Sequence, residues 1–514
     1  MLKKYSFLIF LPFLLKLIVE LVFAQKFLFV IGDFIEDIIF SLLILFLLLN
    51  VPCKFVYFKY IILGIFVIYF ILEISSILIV ESNFSASFMF ALLDSNPIEL
   101  IGFFSSYFTL LNSILIVLSL IIYVVLIRKD YNSSFNTSFY LKVLVTLICI
   151  AVLKFTGLIE NNVYYNILRG SFGYYQLHST VDSISPVDTT KLSVNLNNDV
   201  LVVVLGESIS RNHMQLYNYK RPTTPFLENI RDSLMIYSDV IASDVLTTKV
   251  IPKLLTSFST NGTTNRPDNI IEIFNKSNYD TYWISNQRPI GFHENVISKL
   301  VSSCNHIKFL TYKSHEEHSS FDGIVLPELN KAFLKPGKKV IFVHLIGAHF
   351  KYSNRYPNNF KKFNSNETTL KKEAIDQYDN AILYNDFIVY SIIQQVKSLN
   401  QKSAVLYVSD HGEDVYDESN FSGHSETKIT KSMVEIPFLL WTSSTYEPPI
   451  DFKYSPNRKF MTDNLFSSIG NLLGITYPSI DYSKSIFSVY FKEKNRIIAS
   501  GINYDHYYIG KNDQ

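Results

Sequence analysis

The chain has 514 residues, and 46 Lys+Arg against 45 Asp+Glu leave a formal charge of +1, so there is no bulk positive field to draw in nucleic acid. Hydrophobic residues make up 48% and mean hydropathy is +0.20, high for a purely soluble protein, with most of the excess before residue 160. Three cysteines, of which only Cys304 lies in the polar part, exclude an intradomain disulfide framework there.

In chain order, five apolar segments come first, at 5–23, 29–51, 55–80, 108–127 and 140–158. Each has close to the roughly 20 residues that carry a helix across a ~30 Å hydrocarbon core. Asp33, Glu36 and Asp37 interrupt the second segment; charge is costly in lipid, so they are expected at an interface or facing the bundle. Lys3, Lys4, Lys54, Lys59, Arg128, Lys129 and Lys142 all fall on one side if the N-terminus is cytoplasmic, with Lys26 as an exception. Five crossings then put everything after residue 160 outside, along with the loop bearing Glu81, Asp94 and Glu99. Val22-Phe23-Ala24 also resembles a signal-peptide cleavage site; cleavage would leave four spans and the same side for the rest.

Residues 160–199 are mixed and polar without a clear period, and read as a juxtamembrane connector. From Val200 the pattern changes. Apolar runs at 200–205, 279–284, 340–346 and 404–408 alternate with helical stretches at 224–234, 372–399 and 459–474. This predicts βαβ units and a mainly parallel sheet. The expected organisation is a transmembrane domain over 1–159, a connector over 160–199 and an α/β domain over 200–510.

Two of the expected strands end in chemically loaded residues. The run 201–205 leads into Gly206-Glu207-Ser208, and the run 404–408 into Ser409-Asp410-His411-Gly412-Glu413. Open α/β sheets bind ligands at the carboxyl ends of their strands, and neighbouring Asp and His at such an end suit a zinc-type ion. Alone, Glu207 reads equally as an exposed loop residue or an N-cap. His349, just beyond the run 340–346, and His424, fourteen residues after Asp410, could join, or be ordinary loop histidines. His344, inside an apolar run, reads as a core histidine, and His213, His293, His306, His315 and His318 have no supporting context. Thr247 and Thr248 offer hydroxyls; such threonines are usually only β-formers, but a metal would lower the alcohol's pKa and make it a nucleophile.

This ordered set resembles the membrane-bound phosphoethanolamine transferases of Gram-negative envelopes, within the alkaline phosphatase and sulfatase superfamily. That family includes lipid A-modifying enzymes linked to polymyxin resistance and relatives acting on the lipopolysaccharide core. The resemblance extends through Ser210-Arg211-Asn212-His213-Met214, Arg221-Pro222-Thr223-Thr224-Pro225, Ser285-Asn286-Gln287, the segment from His344 to His349, Tyr378-Asp379-Asn380 and Glu435-Ile436-Pro437-Phe438. It covers nearly the whole chain, five-span region included, and Asn96-Pro97-Ile98-Glu99 is similar to the family's lipid-contacting loop.

The resemblance implies a sulfatase-like periplasmic domain on a multi-pass anchor in the bacterial inner membrane. It implies Zn2+ held by Glu207, Thr247, Asp410 and His411, with Thr247 as nucleophile, because Thr247 lies five residues before Pro252 as the family's threonine does; Thr248 remains the alternative. His349 and His424 would bind the phosphate or a second zinc, and Asn96 and Glu99 would meet lipid. The implied reaction moves phosphoethanolamine from phosphatidylethanolamine to a lipopolysaccharide, lipooligosaccharide or lipid A acceptor. The alternatives are a phosphoglycerol transferase, a sulfatase or phosphodiesterase, or a non-enzymatic membrane scaffold. Ser243 and Lys253 stand where lipid A-modifying members carry a disulfide, which points toward the core-modifying branch.

Overall fold

The computed structural model describes residues 2–23, 27–51, 55–80, 83–94, 110–127, 137–182, 184, 186–258, 266–287, 296–310, 321–364 and 369–509. The chain divides into two compact units, Met1–Tyr175 and Gln176–Gln514.

The first unit is helical: α1 (Leu2–Phe23), α2 (Phe27–Leu49), α3 (Val56–Val80), α4 (Ala86–Asp94), α5 (Leu110–Ile127), α6 (Phe139–Phe155) and α7 (Val163–Asp182), which runs on past its boundary. The five apolar segments coincide with α1, α2, α3, α5 and α6. Asn96 and Glu99 lie outside the described residues. Helix α3 is apolar all round. Leu63, Phe66 and Phe70 are buried, whereas Phe58, Ile61, Ile65 and Ile68 are exposed. A helix with apolar residues on both faces belongs in an apolar surrounding. Among the described residues, Tyr57–Leu78 is the segment long and apolar enough to cross a membrane by itself, with a mean hydropathy of 2.5.

Asp33, Glu36 and Asp37 turn inward. Lys16 of α1 bonds Asp33 and, at 2.8 Å, Asp37, and lies 3.3 Å from Glu20. Tyr69 and Asn162 bond Glu36, the latter at 2.6 Å. All these charged side chains are almost fully buried. Charge in such a place persists only when paired and hydrogen-bonded. The Lys16 pairing joins the consecutive helices α1 and α2, while Asn162 reaches Glu36 from 126 residues away, and Lys16 is the partner that the reading of the second segment alone did not supply.

The second unit is built on a seven-stranded sheet: β1 (Val200–Gly206), β2 (Leu234–Ile236), β3 (Asp280–Ser285), β4 (His306–Phe309), β5 (Lys339–His344), β6 (Ser403–Ser409) and β7 (Phe438–Thr442). Their order is β2-β7-β6-β1-β5-β3-β4. Strands β6, β1, β5, β3 and β4 are mutually parallel, and β7 runs antiparallel between β6 and β2. The sheet is therefore mixed, with a parallel centre.

Both faces are covered, which is why β1 is apolar without alternation. Leu201, Val203 and Leu205 pack with α8 (Thr247–Leu255), α9 (Ile270–Lys276) and, further on, Leu465 and Ile469. Val200, Val202 and Val204 pack with α10 (Val325–Phe333) and α11 (Leu370–Ser398). Each buried Val or Leu side chain contributes about 1.5–3 kcal/mol by leaving water. The helical stretch expected at 224–234 is shorter. It stops at Glu228, and Leu234–Ile236 pairs instead with Leu439–Trp441 as an edge strand.

Candidate functional site

Register brings the loaded strand ends together. Gly206 of β1 is opposite Ser409 of β6, and Leu205 is opposite His344 of β5. Glu207 and Asp410 therefore leave the sheet side by side at its carboxyl edge, where parallel strands place their ligands. The chain turns sharply at Ser208, which adopts φ +58°, and not at Gly206. Gly206 serves close packing instead: a Cβ there would lie 3.0 Å from the Tyr407 hydroxyl oxygen. Gly347 is the conformationally demanding glycine. It has φ +53°, and a Cβ would stand 2.3 Å from the Glu207 carbonyl oxygen.

Thr247 reaches this edge from the first turn of α8. Its Oγ1 donates to Asp410 Oδ2 at 2.7 Å or Glu207 Oε2 at 2.9 Å, and lies 3.4 Å from His411 Nε2. Thr248, the neighbouring candidate, is buried without a bond to this group. Around the cluster the carboxylates are oriented by further donors. Ser208 N–H and His411 N–H donate to Asp410 Oδ1 at 3.2 and 2.6 Å. Ser208 Oγ donates to Glu207 Oε1 at 3.0 Å, and Gln287 Nε2 to Glu207 Oε2 at 3.1 Å. His411 Nδ1 lies 2.8 Å from the Gly412 carbonyl oxygen, so it carries a hydrogen and Nε2 faces the carboxylates.

A second group adjoins the first. His411, Glu413 and His424 have ligand atoms within 4.8 Å of one another. The His411 and His424 rings are 4.3 Å apart. His424 Nδ1 is 2.7 Å from Glu413 Oε2, and the Tyr352 hydroxyl donates to Glu413 Oε1 at 2.8 Å. His349 follows β5 on the loop that contains Gly347, close enough to help lower the Glu207 pKa.

Charge is tightly shared here. Burial and the neighbouring Glu207 push the Asp410 carboxyl up to about 8. Burial alone would raise Glu207 as well, but His411 outweighs it and holds Glu207 well below the usual range. Burial opposes the charge on His411, and Asp410 and Glu207 overcome it, raising the imidazole to about 10. Two crowded carboxylates compete for protons, and a divalent cation relieves that competition when it binds. Glu207, Asp410 and His411 have ligand atoms within 4.8 Å of one another, with the Thr247 hydroxyl beside them. Two carboxylates, one tautomer-fixed imidazole and one hydroxyl fit a four-coordinate zinc, with the orienting bonds that such ligands need.

Several contributors were not singled out by sequence reasoning. Gln287 and Tyr352 act on Glu207 and Glu413 from 80 and 61 residues away, which no local spacing announces, whereas Ser208 and Glu413 stand beside the residues that the sequence marked but were given no role of their own there. His213 is also more than a loop histidine. It is buried between Asp379 at 2.6 Å and Asp417 at 3.0 Å. His344 is the core histidine expected, packed 5.2 Å from Trp283.

The sequence signature of the sulfatase family matches residues 199–475, and the chain belongs to this family. Phosphoethanolamine transferase EptC of Escherichia coli (strain K12) is 30% identical over 359 residues, which cover 64% of this chain and 62% of that relative. The match thus spans less than two thirds of the relative's length. The crystal structure of the C-terminal periplasmic domain of EptC from Escherichia coli, in complex with Zn, is similar with a TM-score of 0.59 and 30% identity, covering 63% of this chain and 97% of that one. The integral membrane protein lipooligosaccharide phosphoethanolamine transferase A (EptA) from Neisseria meningitidis has a TM-score of 0.69 at 17% identity, covering 91% of this chain and 94% of that one. The last is a likeness of fold.

Proposed function

We propose that the protein is a zinc-dependent phosphoethanolamine transferase that takes its group from phosphatidylethanolamine and passes it to a lipopolysaccharide, lipooligosaccharide or lipid A acceptor. The observation that carries this reading is the Thr247 hydroxyl set 2.7 Å from Asp410 and 2.9 Å from Glu207, beside His411. An alcohol is a poor nucleophile unless something takes its proton, and this is a hydroxyl placed against proton acceptors. The names of the similar proteins supply the transferred group and the acceptor class.

Glu207, Thr247, Asp410 and His411 would hold the zinc, which when bound lowers the pKa of the alcohol and neutralises charge on phosphoryl oxygens. In the first half-reaction Thr247 Oγ1 gives up its proton toward the carboxylate pair and bonds to phosphorus. The bond from phosphorus to the diacylglycerol oxygen breaks, and diacylglycerol leaves with a proton. In the second, an acceptor oxygen bonds to phosphorus, the bond from phosphorus to Thr247 Oγ1 breaks, and a proton returns to Oγ1 to restore the hydroxyl. His349 and His424 bind the phosphate in this reading, or a second zinc together with Glu413.

The anchor in this reading comprises α1, α2, α3, α5 and α6 as five spans of the bacterial inner membrane. It forms a transmembrane domain over 1–159, a connector follows over 160–199, and the catalytic domain over 200–510 lies in the periplasm. The support is the outward-facing apolar surface: Ile114, Val117, Ile121, Leu144, Leu147 and Ile148 are all exposed, more than soluble proteins tolerate. The anchor keeps the site at the headgroup layer where donor and acceptor meet, a proximity effect. The resemblance makes Asn96 and Glu99, outside the described residues, candidates for contact with the lipid. The lack of a cysteine at Ser243 and Lys253 favours a core acceptor over lipid A.

Purified protein given fluorescent phosphatidylethanolamine is expected to release labelled diacylglycerol. Turnover of phosphatidylglycerol instead would replace this reading with a phosphoglycerol transferase. Mass spectrometry of envelope glycolipids with and without the gene identifies the acceptor by loss of a phosphoethanolamine-sized mass.

A further inference from the structure

A buried charged cluster stands beside Thr247 and takes no part in the chemistry above. Helix α8 has Leu246 at its N-cap, with no side-chain cap bond, so no side chain at the cap braces its first turn. Two charged pairs do so instead. Lys249 Nζ bonds Glu426 Oε1 at 2.5 Å, and Lys253 Nζ bonds Asp244 Oδ2 at 3.3 Å. Asp244 Oδ1 also accepts from the Val245 N–H at 2.9 Å. Asp244 and Glu426 are 4% and 7% exposed.

The placement of the four residues is informative. Lys249 is two residues beyond Thr247 on the helix, and Glu426 is two residues beyond His424 on a different segment. The Lys249–Glu426 pair therefore ties the turn that presents the hydroxyl to the loop that presents the second histidine. A buried ion pair adds little net stability, because desolvation consumes most of its attraction. What it does provide is a fixed separation between the two segments that it joins.

We propose that Lys249 and Glu426 are positioning residues that clamp the His424 loop onto the first turn of α8 and set the Thr247–His424 separation for phosphoryl transfer, an inference that rests on the reading of Thr247 as nucleophile. Asp244 and Lys253 seat the clamp from the other side of the turn. Neither Lys249 nor Glu426 is assigned to the metal-type donor set, so their loss leaves that set intact.

The test uses the full chain in detergent with zinc and fluorescent phosphatidylethanolamine, comparing Lys249→Met, Glu426→Gln, the double variant and Lys249→Arg. The near-isosteric Glu426→Gln keeps the experiment informative if Lys249→Met folds poorly. Each single change is expected to lower kcat by about 10- to 100-fold with KM and bound zinc unchanged, the cost of misplacing reacting groups by around an ångström. The double variant should be no slower than the worse single, since both changes release one clamp. Lys249→Arg should recover most of the rate. Unaffected kcat in an active wild-type background overturns this inference alone. Multiplying losses in the double variant, or parallel loss of zinc and rate that arginine does not rescue, also overturn it. A wild-type protein that releases no diacylglycerol overturns the parent reading and takes this inference with it.

Discussion

Gly347→Ala perturbs the site without removing any candidate ligand. Gly347 has φ +53°, where an alanine pays about 1–2 kcal/mol for the left-handed conformation. Its Cβ would also stand 2.3 Å from the Glu207 carbonyl oxygen and 2.9 Å from the Glu207 nitrogen, where real Cβ atoms keep at least 3.0 Å. The chain must therefore part by about 0.7 Å along the carbonyl contact, and the segment that yields is the one presenting the Glu207 carboxylate. Such overpacking costs a further 1–3 kcal/mol or so. The summed destabilisation is about 2–5 kcal/mol, with turnover falling about 10- to 100-fold as Glu207 is displaced. Gly337→Ala is the control. Its φ is +95° but nothing lies within 4 Å, so it carries backbone strain without the clash. Diacylglycerol release, bound zinc and thermal unfolding are measured on both variants. Wild-type turnover and zinc content in Gly347→Ala would refute the claim that this close approach positions Glu207. Equal losses in Gly337→Ala would refute the claim that the clash, rather than the strain, is responsible.

Other outcomes follow from the same geometry. Thr247→Ala should abolish diacylglycerol release by at least about 10³-fold, as expected when a covalent nucleophile is lost, whereas Thr248→Ser should stay active; the reverse result in the same assay would move the nucleophile to Thr248. Chelation should abolish turnover and lower the unfolding midpoint, with zinc restoring both, because a ligand of the folded state at 100 times its Kd stabilises by about 2.7 kcal/mol. A midpoint indifferent to chelator and zinc would argue against a metal at this cluster. His213 is predicted to make the second unit lose stability in base. Burial opposes its charge, but Asp379 and Asp417 outweigh it and raise the imidazole from 6.5 to about 9. A folded pKa above the unfolded one stabilises fully below about pH 6.5, and that contribution fades as pH rises through 9; at 1.36 kcal/mol per unit it amounts to about 3 kcal/mol. Chemical unfolding against pH should show this slope in the wild type and lose it in His213→Gln.

Much of the architecture was legible because it depends on local pattern. The short apolar runs at 200–205, 340–346 and 404–408 read as strands covered on both faces, and the order of strand, Glu207, strand, Asp410-His411 places those side chains at one sheet edge once the strands are parallel neighbours. Leu234–Ile236, which begins at the last residue of an expected helix, was not foreseen as a strand because its pairing partner, Leu439–Trp441, lies some two hundred residues away. Glu207, Asp410 and His411 were found because chemistry and strand ends coincide in the sequence. Gln287, Tyr352 and Glu426 were not, because each touches its partner only across the fold.

The sequence by itself determined where the apolar helices of the first unit lie, which four runs form the central strands, and which few residues carry metal-type chemistry, since each of these is a property of neighbours along the chain. Tertiary structure decided the rest. Successive residues of a helix point about 100° apart, so only the packed orientation of α8 turns Thr247 rather than Thr248 toward Asp410. It also decided that Lys16 answers the carboxylates of α2, and that Lys249 meets Glu426. A charge in a low-dielectric interior takes its partner from whatever the fold brings within 3 or so ångströms, and separation along the chain does not enter.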